Sequence, residues 1–224
     1  MTWNRIIDLS HVVEPGDAAR LVDVQKVPLE DYATVFPGYV VTKADANFPM
    51  HTIRIASHIG THLETPYHWG LRGADVSEIP VEQLIGEAVL LDLSHVTPDQ
   101  WITKEDVQRA AKAAGMRRGD MVFCDTVYET DQTKKAPFFR TDAVEWLIEE
   151  GMTVFAVEAE MEDLLQGEES GDFPNHTALF SKGVLLIEYI TNLEEIEGTR
   201  FTAVALPAKI RGADSLPIRL VALQ

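Results

Sequence analysis

The segment from residue 58 to residue 68 reads His58-Ile-Gly-Thr-His62-Leu-Glu64-Thr-Pro-Tyr-His68. It holds three of the chain's seven histidines together with one carboxylate. Histidine and glutamate are ordinary ligands of zinc and manganese, with metal-to-ligand distances of about 2.0–2.2 Å. The cluster therefore predicts a metal site. The alternative is that each histidine is a separately hydrogen-bonded group at the end of a strand.

The backbone of this segment must bend if its side chains are to share one ion. Gly60 and Pro66 argue against a helix interior. A straight strand, at roughly 3.3 Å per residue, would hold His58 and His62 about 13 Å apart. Two ligands of one ion need their donor atoms about 3 Å apart. Because glycine readily adopts positive φ, the sequence predicts a bend near Gly60.

Length and composition limit the class of protein. With 224 residues and 46% hydrophobic content, the chain is expected to form a single domain over residues 1–224. Its one cysteine, Cys124, excludes an internal disulfide and a zinc site built on two or more thiolates. The net charge of -17 opposes binding to nucleic acid or to anionic membranes. Since no long apolar run or signal peptide pattern is seen, we expect a cytoplasmic protein that acts on a small molecule.

The pattern of apolar residues predicts an α/β fold. A helix is expected over residues 104–114, with Thr103 as its cap and Gly115 as its stop, and a second helix from Thr141 to Gly151. The region 37–56 suggests an antiparallel part, whereas residues 17–47 are expected to be loop with one strand near 39–42. Buried strands are predicted at 6–9, 88–93, 121–124, 153–157, 184–190, 201–206 and 217–223.

Three further stretches extend the metal segment into a longer pattern: residues 6–11, 85–92 and 205–219. Together they resemble the cyclase or kynurenine formamidase-like family of metal-dependent hydrolases. This family includes isatin hydrolases and carries the motif His-x-Gly-Thr-His-x-Asp-x-Pro-x-His. The resemblance covers nearly the whole chain. It implies an α/β fold of the swivelling β/β/α type, with a mixed sheet and flanking helices, assembled as a homodimer or homotetramer.

The resemblance also implies roles for individual residues. His58, His62 and Glu64 match the family's first metal ligands, and the distal pair, a histidine and a glutamate twelve residues later, matches His176 and Glu188. One or two ions of Zn or Mn would polarise an amide carbonyl and lower the pKa of a bound water. The implied reaction is hydrolysis of the C–N bond of a small formamide, lactam or cyclic amide.

By the same resemblance, His68 would be the catalytic base. Histidine titrates near neutral pH, so it can take a proton from water and return it to the leaving nitrogen. His11, His51 and His95 are interpreted as structural. Candidates for the pocket lining, which the sequence does not rank, are the aromatic residues Phe36, Phe48, Trp69 and Phe139.

Glu64 departs from the family motif, which usually has aspartate there as a ligand that bridges two ions. The extra methylene moves the carboxylate by more than about 1 Å, enough to change the number or the kind of ions bound. Two alternatives therefore stay open: a cyclase or dehydratase of the same family, and a ligand-binding member without catalysis. Glu188 could instead pair with a buried Lys or Arg, and His176 could be a surface histidine.

Overall fold

A large mixed β-sheet with helices on its outer face organises the chain. The computed structural model describes residues 3–16, 22–70, 72–97, 100–126, 137–161 and 173–224. The strands are β1 (Ile6–Asp8), β2 (Val22–Lys26), β3 (His51–Ile55), β4 (His62–Glu64), β5 (Ile85–Asp92), β6 (Trp101–Ile102), β7 (Met121–Asp125), β8 (Phe138–Phe139), β9 (Val154–Ala156), β10 (Leu185–Glu188), β11 (Arg200–Pro207) and β12 (Ser215–Leu223). The α-helices are α1 (Tyr32–Val35), α2 (Lys104–Ala114), α3 (Thr141–Glu149) and α4 (Pro174–Ser181).

The main sheet closes on itself. Its strand order is β1-β12-β11-β5-β7-β9-β10-β4, and β4 also pairs with β12, so seven strands from β12 round to β4 form a ring. Neighbours from β5 to β10 run parallel, and the remaining neighbours run antiparallel. The predicted α/β class with a mixed sheet is therefore confirmed. The closure was not part of the prediction.

Two apolar cores lie on the two faces of this sheet. Every ring strand contributes to the inner core, in which alanines such as Ala88 and Ala203 leave room for Phe123 and Phe201. The outer core joins the other sheet face to helices α2, α3 and α4. Because successive residues of a strand point to opposite faces, Leu63 enters the inner core and its neighbours on β4 face outward.

Capping residues define helix α2 as predicted, whereas α3 begins at Thr141 without a side-chain cap and ends at Glu149, before the predicted stop at Gly151. The Thr103 side chain accepts a hydrogen bond from the Asp106 N–H, and the Asp106 carboxylate accepts one from the Thr103 N–H, which completes a capping box at α2. Gly115 ends that helix in the left-handed region. None of the helices in the described ranges combines the length and apolar character that crossing a bilayer requires.

All seven predicted strands are present, although the region before the metal segment differs from the prediction. Residues 39–42 are not a strand. They lie between Gly38, which has positive φ, and a short 3-10 helix at Lys43–Asn47, so they have no strand to pair with. Instead, β2, which was not predicted, pairs with β3 as a separate antiparallel sheet. Residues 17–21 of the expected loop lie outside the described residues.

Candidate metal centre

Strand β4 brings three of the predicted ligands to one place. His62 and Glu64 alternate with inward-facing Leu63, so both point towards the helix side of the ring. On the antiparallel neighbour β10, Glu188 lies directly opposite His62. Paired residues of adjacent strands share a face, so a buried carboxylate meets a buried histidine across the two strands.

The predicted bend occurs at Gly60. Its φ is +57°, and a Cβ atom there would lie 2.5 Å from the Val13 side chain, so glycine is required on both counts. The turned carbonyl of Gly60 accepts a hydrogen bond from His62 Nδ1 at 2.8 Å. Since Nδ1 is the donor in this bond, His62 presents Nε2 to the carboxylates of Glu64 and Glu188, at 3.2 and 3.4 Å.

Glu64 lies at the centre of the cluster and fits a bound cation. Its Oε1 is 2.6 Å from His58 Nδ1 and 3.2 Å from His62 Nε2. Together these three residues can offer donor atoms to one ion. The second oxygen, Oε2, is buried and finds no hydrogen-bond partner among the described residues. An ionised oxygen buried in this way is costly unless a cation is close by, so this donor set suits a divalent metal ion.

The distal residues reach the same neighbourhood less tightly. His176, on α4, places Nε2 3.8 Å from Glu64 Oε2, and its side chain is 12% exposed. Glu188 accepts a hydrogen bond from the Met161 N–H at 2.7 Å and faces His62, so its partner is a histidine and not a Lys or Arg. All five predicted ligands are therefore neighbours. Glu64 lies between His58 and His62 on one side and His176 on the other.

Hydrogen bonds within the cluster favour the protonated forms of His58 and His62 and the ionised form of Glu64. Burial lowers the pKa of His62, but hydrogen bonds with Glu188 and Glu64 outweigh burial and raise that pKa to about 10. For His58, bonds with Glu64 and Asp214 likewise overcome burial and raise the pKa. Burial raises the pKa of Glu64, but the hydrogen bonds with His58 and His62 outweigh burial and hold that pKa well below the usual range. A divalent cation would satisfy the same carboxylates by displacing the histidine protons.

His68, the predicted base, ends a short 3-10 helix at Pro66–His68 and has a side chain that is 33% exposed. Its Nδ1 is 2.9 Å from Asp214 Oδ2, and the same oxygen is 2.9 Å from His58 Nε2. Burial raises the pKa of Asp214, but these two contacts lower it to about 2. Sequence reasoning assigned Asp214 no role. Its one available signal was its place within residues 205–219, the last stretch of the family pattern.

Aromatic rings surround His68 and His176. Trp69 stacks on the His176 ring at a centroid distance of 6.3 Å, and Phe180 lies 6.2 Å from His68. Phe173 contacts Trp69 at 5.6 Å and is 37% exposed. Of the aromatic pocket candidates, Trp69 lines the site, whereas Phe139 packs in the core against Phe155.

The other histidines have separate surroundings. His95 lies on the surface, 3.1 Å from Asp106, and His51 lies on the exposed strand β3. The backbone N–H of His11 donates a hydrogen bond to the Thr61 side chain beside the metal segment. Burial lowers the pKa of His11. Their interpretation as structural residues stays a prediction.

Comparison with known proteins places these features in a family context. A family model described as putative cyclase matches residues 7–163. The kynurenine formamidase of Salinibacter ruber (strain DSM 13855 / M31) is 24% identical over 177 residues, which cover 79% of this chain and 81% of the relative.

Solved structures share the fold over almost the full length. Isatin hydrolase A from Labrenzia aggregata, bound to benzyl benzoate, superposes with a TM-score of 0.77 at 21% identity, covering 98% of this chain and 93% of that one. A potential metal-dependent hydrolase with cyclase activity has a TM-score of 0.71 at 23% identity, with coverages of 98% and 97%.

Proposed function

This chain belongs to the putative cyclase family, and from that premise we propose that it is a metal-dependent hydrolase of amide C–N bonds. The proposed substrate is a small formamide, lactam or cyclic amide. The relative from Salinibacter ruber, named kynurenine formamidase, and the fold neighbour named isatin hydrolase A support this reaction class.

The observation that carries the proposal is the environment of Glu64. Its Oε1 contacts His58 and His62, whereas its buried Oε2 is directed towards His176 at 3.8 Å. A carboxylate with histidine nitrogens beside both oxygens is suited to hold one ion or to bridge two. Glu64 therefore supports a working site despite its difference from the family motif.

The residues that would hold the ion are His58, His62 and Glu64, with His176 and Glu188 as the distal ligands. A bound divalent ion would polarise the amide carbonyl and lower the pKa of an attacking water. His68 would take a proton from that water and deliver it to the leaving nitrogen. Its ring is partly exposed and lies 4.4 Å from the His58 ring, so a substrate can reach it beside the ligands.

The aromatic side chains narrow the substrate class. Trp69, Phe173 and Phe180 surround His68 and His176. Flat aromatic walls favour planar ligands by stacking and edge-to-face contacts, each worth about 0.5–1.5 kcal/mol. We therefore propose an amide whose nitrogen is attached to, or part of, a planar ring system.

Metal analysis combined with a hydrolysis screen tests the proposal. Protein supplied with zinc or manganese and then desalted should hold at least about one equivalent of ion per chain. It should hydrolyse some members of a panel of aryl formamides and lactams. Retention of less than roughly a tenth of an equivalent would refute the ligand assignment.

Two variants separate the roles of ligand and base. His62→Ala should lose both ion and activity, whereas His68→Ala should keep the ion and lose turnover. His95→Ala is the matched control because that histidine lies on the surface beside Asp106, and it should change neither quantity. Equal loss of ion in both site variants would make His68 a ligand and leave the base unassigned.

The same screen decides between the proposal and its alternatives. A hydrolase adds one water and produces a free amine and a new carboxylate, on two products from a formamide and on one ring-opened product from a lactam. Net loss of water from an open-chain substrate identifies a cyclase or dehydratase. A ligand-binding member would bind panel compounds without turnover in any metal form.

We also propose that the chain self-associates through residues 22–55. This segment holds nine of the seventeen exposed large hydrophobic residues among those described, including Ile53 and Phe48 at 67% and 69% exposure. It carries three basic and four acidic residues, a balance of -1 in a chain of net charge -17. A nearly neutral apolar surface on a strongly acidic protein suits a second copy of itself, because the two copies would otherwise repel each other.

Size-exclusion chromatography with light scattering measures the oligomeric state of the eluted protein and so tests this proposal. The native chain should elute as a homodimer or homotetramer, and Ile53→Lys should shift it towards the monomer. Leu206→Lys, at an exposed apolar residue outside the segment, should leave the assembly unchanged. A monomeric native chain would refute the proposal.

The remaining finer assignments rest on the family resemblance and on the sequence. They are a swivelling β/β/α type of fold, one domain over residues 1–224, Zn or Mn as the metal and a cytoplasmic location. Coverage of 98% of the chain by single neighbouring structures supports the proposal of one domain.

A further inference from the structure

Asp214 is held in place by its backbone immediately before β12. Its carbonyl accepts hydrogen bonds from both the N–H and the side-chain hydroxyl of Thr65, each at 3.0 Å. Two residues earlier, the Gly212 N–H donates to the Asp75 carboxylate at 2.6 Å. The connection that carries Asp214 is thus attached to the metal segment at Thr65 and to the loop after that segment at Asp75.

From this fixed position, one oxygen of Asp214 serves two histidines. Oδ2 lies 2.9 Å from His58 Nε2 and 2.9 Å from His68 Nδ1. An ionised carboxylate only accepts hydrogen bonds, so each of these ring nitrogens must carry a proton. Asp214 thereby determines which nitrogen of each ring stays protonated, and so which nitrogen can bind an ion or accept a proton.

The consequence differs for the two rings. In His58 the other nitrogen, Nδ1, faces the carboxylate of Glu64 at 2.6 Å, so it also carries a proton until an ion displaces that proton and takes up the lone pair. In the neutral ring of His68 the lone pair is on Nε2, the nitrogen that Asp214 does not contact. One ring is thus prepared to bind an ion and the other to accept a proton.

We propose that Asp214 is a positioning residue that holds the ligand His58 and the base His68 in the tautomers that their roles require. The inference rests on the proposed function for the meaning of those roles. The geometry itself does not depend on those roles. One carboxylate, that of Asp214, contacts both His58 and His68 and orients the two rings together.

The experiment compares Asp214→Asn with Asp75→Asn. An asparagine has the same shape but can donate as well as accept, so it no longer enforces the tautomers. Asp75→Asn is the matched control because it alters the anchor of the same connection without touching either histidine. For both variants and the native chain we would measure zinc affinity by chelator competition, zinc stoichiometry, kcat, KM and the protonation of the ring nitrogens by ¹⁵N NMR.

In the native zinc-loaded chain, we expect the proton of His68 on Nδ1 and that of His58 on Nε2. Signals would be assigned with the His58→Asn and His68→Asn variants. Asp214→Asn should weaken zinc binding by about 10–100-fold. At saturating zinc it should lower kcat by about 10²–10⁴-fold, with a much smaller change in KM. Asp75→Asn should keep the native tautomers and affinity.

Three results would overturn the inference: a native His68 with its proton on Nε2, an Asp214→Asn variant with native affinity and kcat, or loss of one zinc equivalent in that variant. The last would make Asp214 a ligand. The NMR measurement uses the native chain, so it decides even if Asp214→Asn does not fold. It also needs no turnover, so an inactive native chain would refute the hydrolase proposal without affecting this result.

Discussion

Replacing Glu64 with glutamine tests whether the cluster is a metal site by measuring stability instead of turnover. A ligand that binds only the folded chain stabilises it by RT ln(1 + [L]/Kd), which is about 2.7 kcal/mol at 100 times Kd. For a chain of this length, each kcal/mol raises the melting temperature by roughly 2–4 °C. Zinc at that concentration should therefore raise the melting temperature of the native chain by about 5–11 °C.

Glu64→Gln should remove nearly all of this rise. Oε1 of Glu64 faces both His58 and His62, so a neutral amide there deprives the ion of its central anionic ligand. Loss of an outer hydrogen-bond partner already weakens metal binding by about 10–100-fold, so loss of this ligand should cost at least 100-fold. At the same zinc concentration the stabilisation then falls to about 0.4 kcal/mol, a rise of roughly 1–2 °C.

Differential scanning fluorimetry with and without zinc measures both rises. Each variant is compared with its own zinc-free melting temperature, so any change that the substitution makes to the zinc-free fold cancels. Glu87→Gln is the control, because Glu87 on β5 of the main sheet is 64% exposed and should keep the native rise. A rise in Glu64→Gln within about 2 °C of the native rise would refute the assignment of Glu64 as a ligand.

Three further changes have expected outcomes. Gly60→Ala should lower the free energy of unfolding by at least about 1–2 kcal/mol in chemical denaturation, because positive φ disfavours alanine and the new Cβ meets Val13; an unchanged midpoint would contradict this. Thr103→Ala should cost about 1 kcal/mol by removing the cap shared with Asp106, without altering zinc affinity. With chelator present, stability should fall as pH rises from about 6.5 towards 10, because the raised pKa of His62 means that the folded chain holds a proton which the unfolded chain releases. Titration of the melting temperature, compared with His62→Gln, checks the sign, and equal slopes in both chains would refute it.

Local features of the structure could be predicted from local sequence. The α2 helix begins and ends where Thr103 and Gly115 indicate, since capping depends on a few neighbouring residues. Gly60 adopts the positive φ that the ligand spacing requires. Each of these features is set by interactions within a few residues.

Features that depend on distant pairing could not be predicted. The closure of the ring joins β4 to β10 and β12, and nothing within the three residues of β4 specifies those partners. Asp214 lies far along the chain from His58 and His68, in a connection without periodic apolar residues, so its two contacts arise only from the fold. The expected strand near 39–42 failed for the same reason, because its apolar residues find no neighbouring strand.

Ring closure through β4 bears on the order of events in folding. Strand β4 must pair with two strands from late in the chain. Such distant pairings form slowly because the entropy cost of closing the loop comes before the new contacts can stabilise the pair. Until β4 is in place, β10 and β12 present open edges that other chains could join. The proposed ligands come from β4 and the bend before it, from β10 and from α4, so an ion can be fully bound only once β4 has paired with β10. An ion that binds only the closed ring stabilises it relative to forms in which β4 is unpaired. Metal would thus help to keep the edges of β10 and β12 covered.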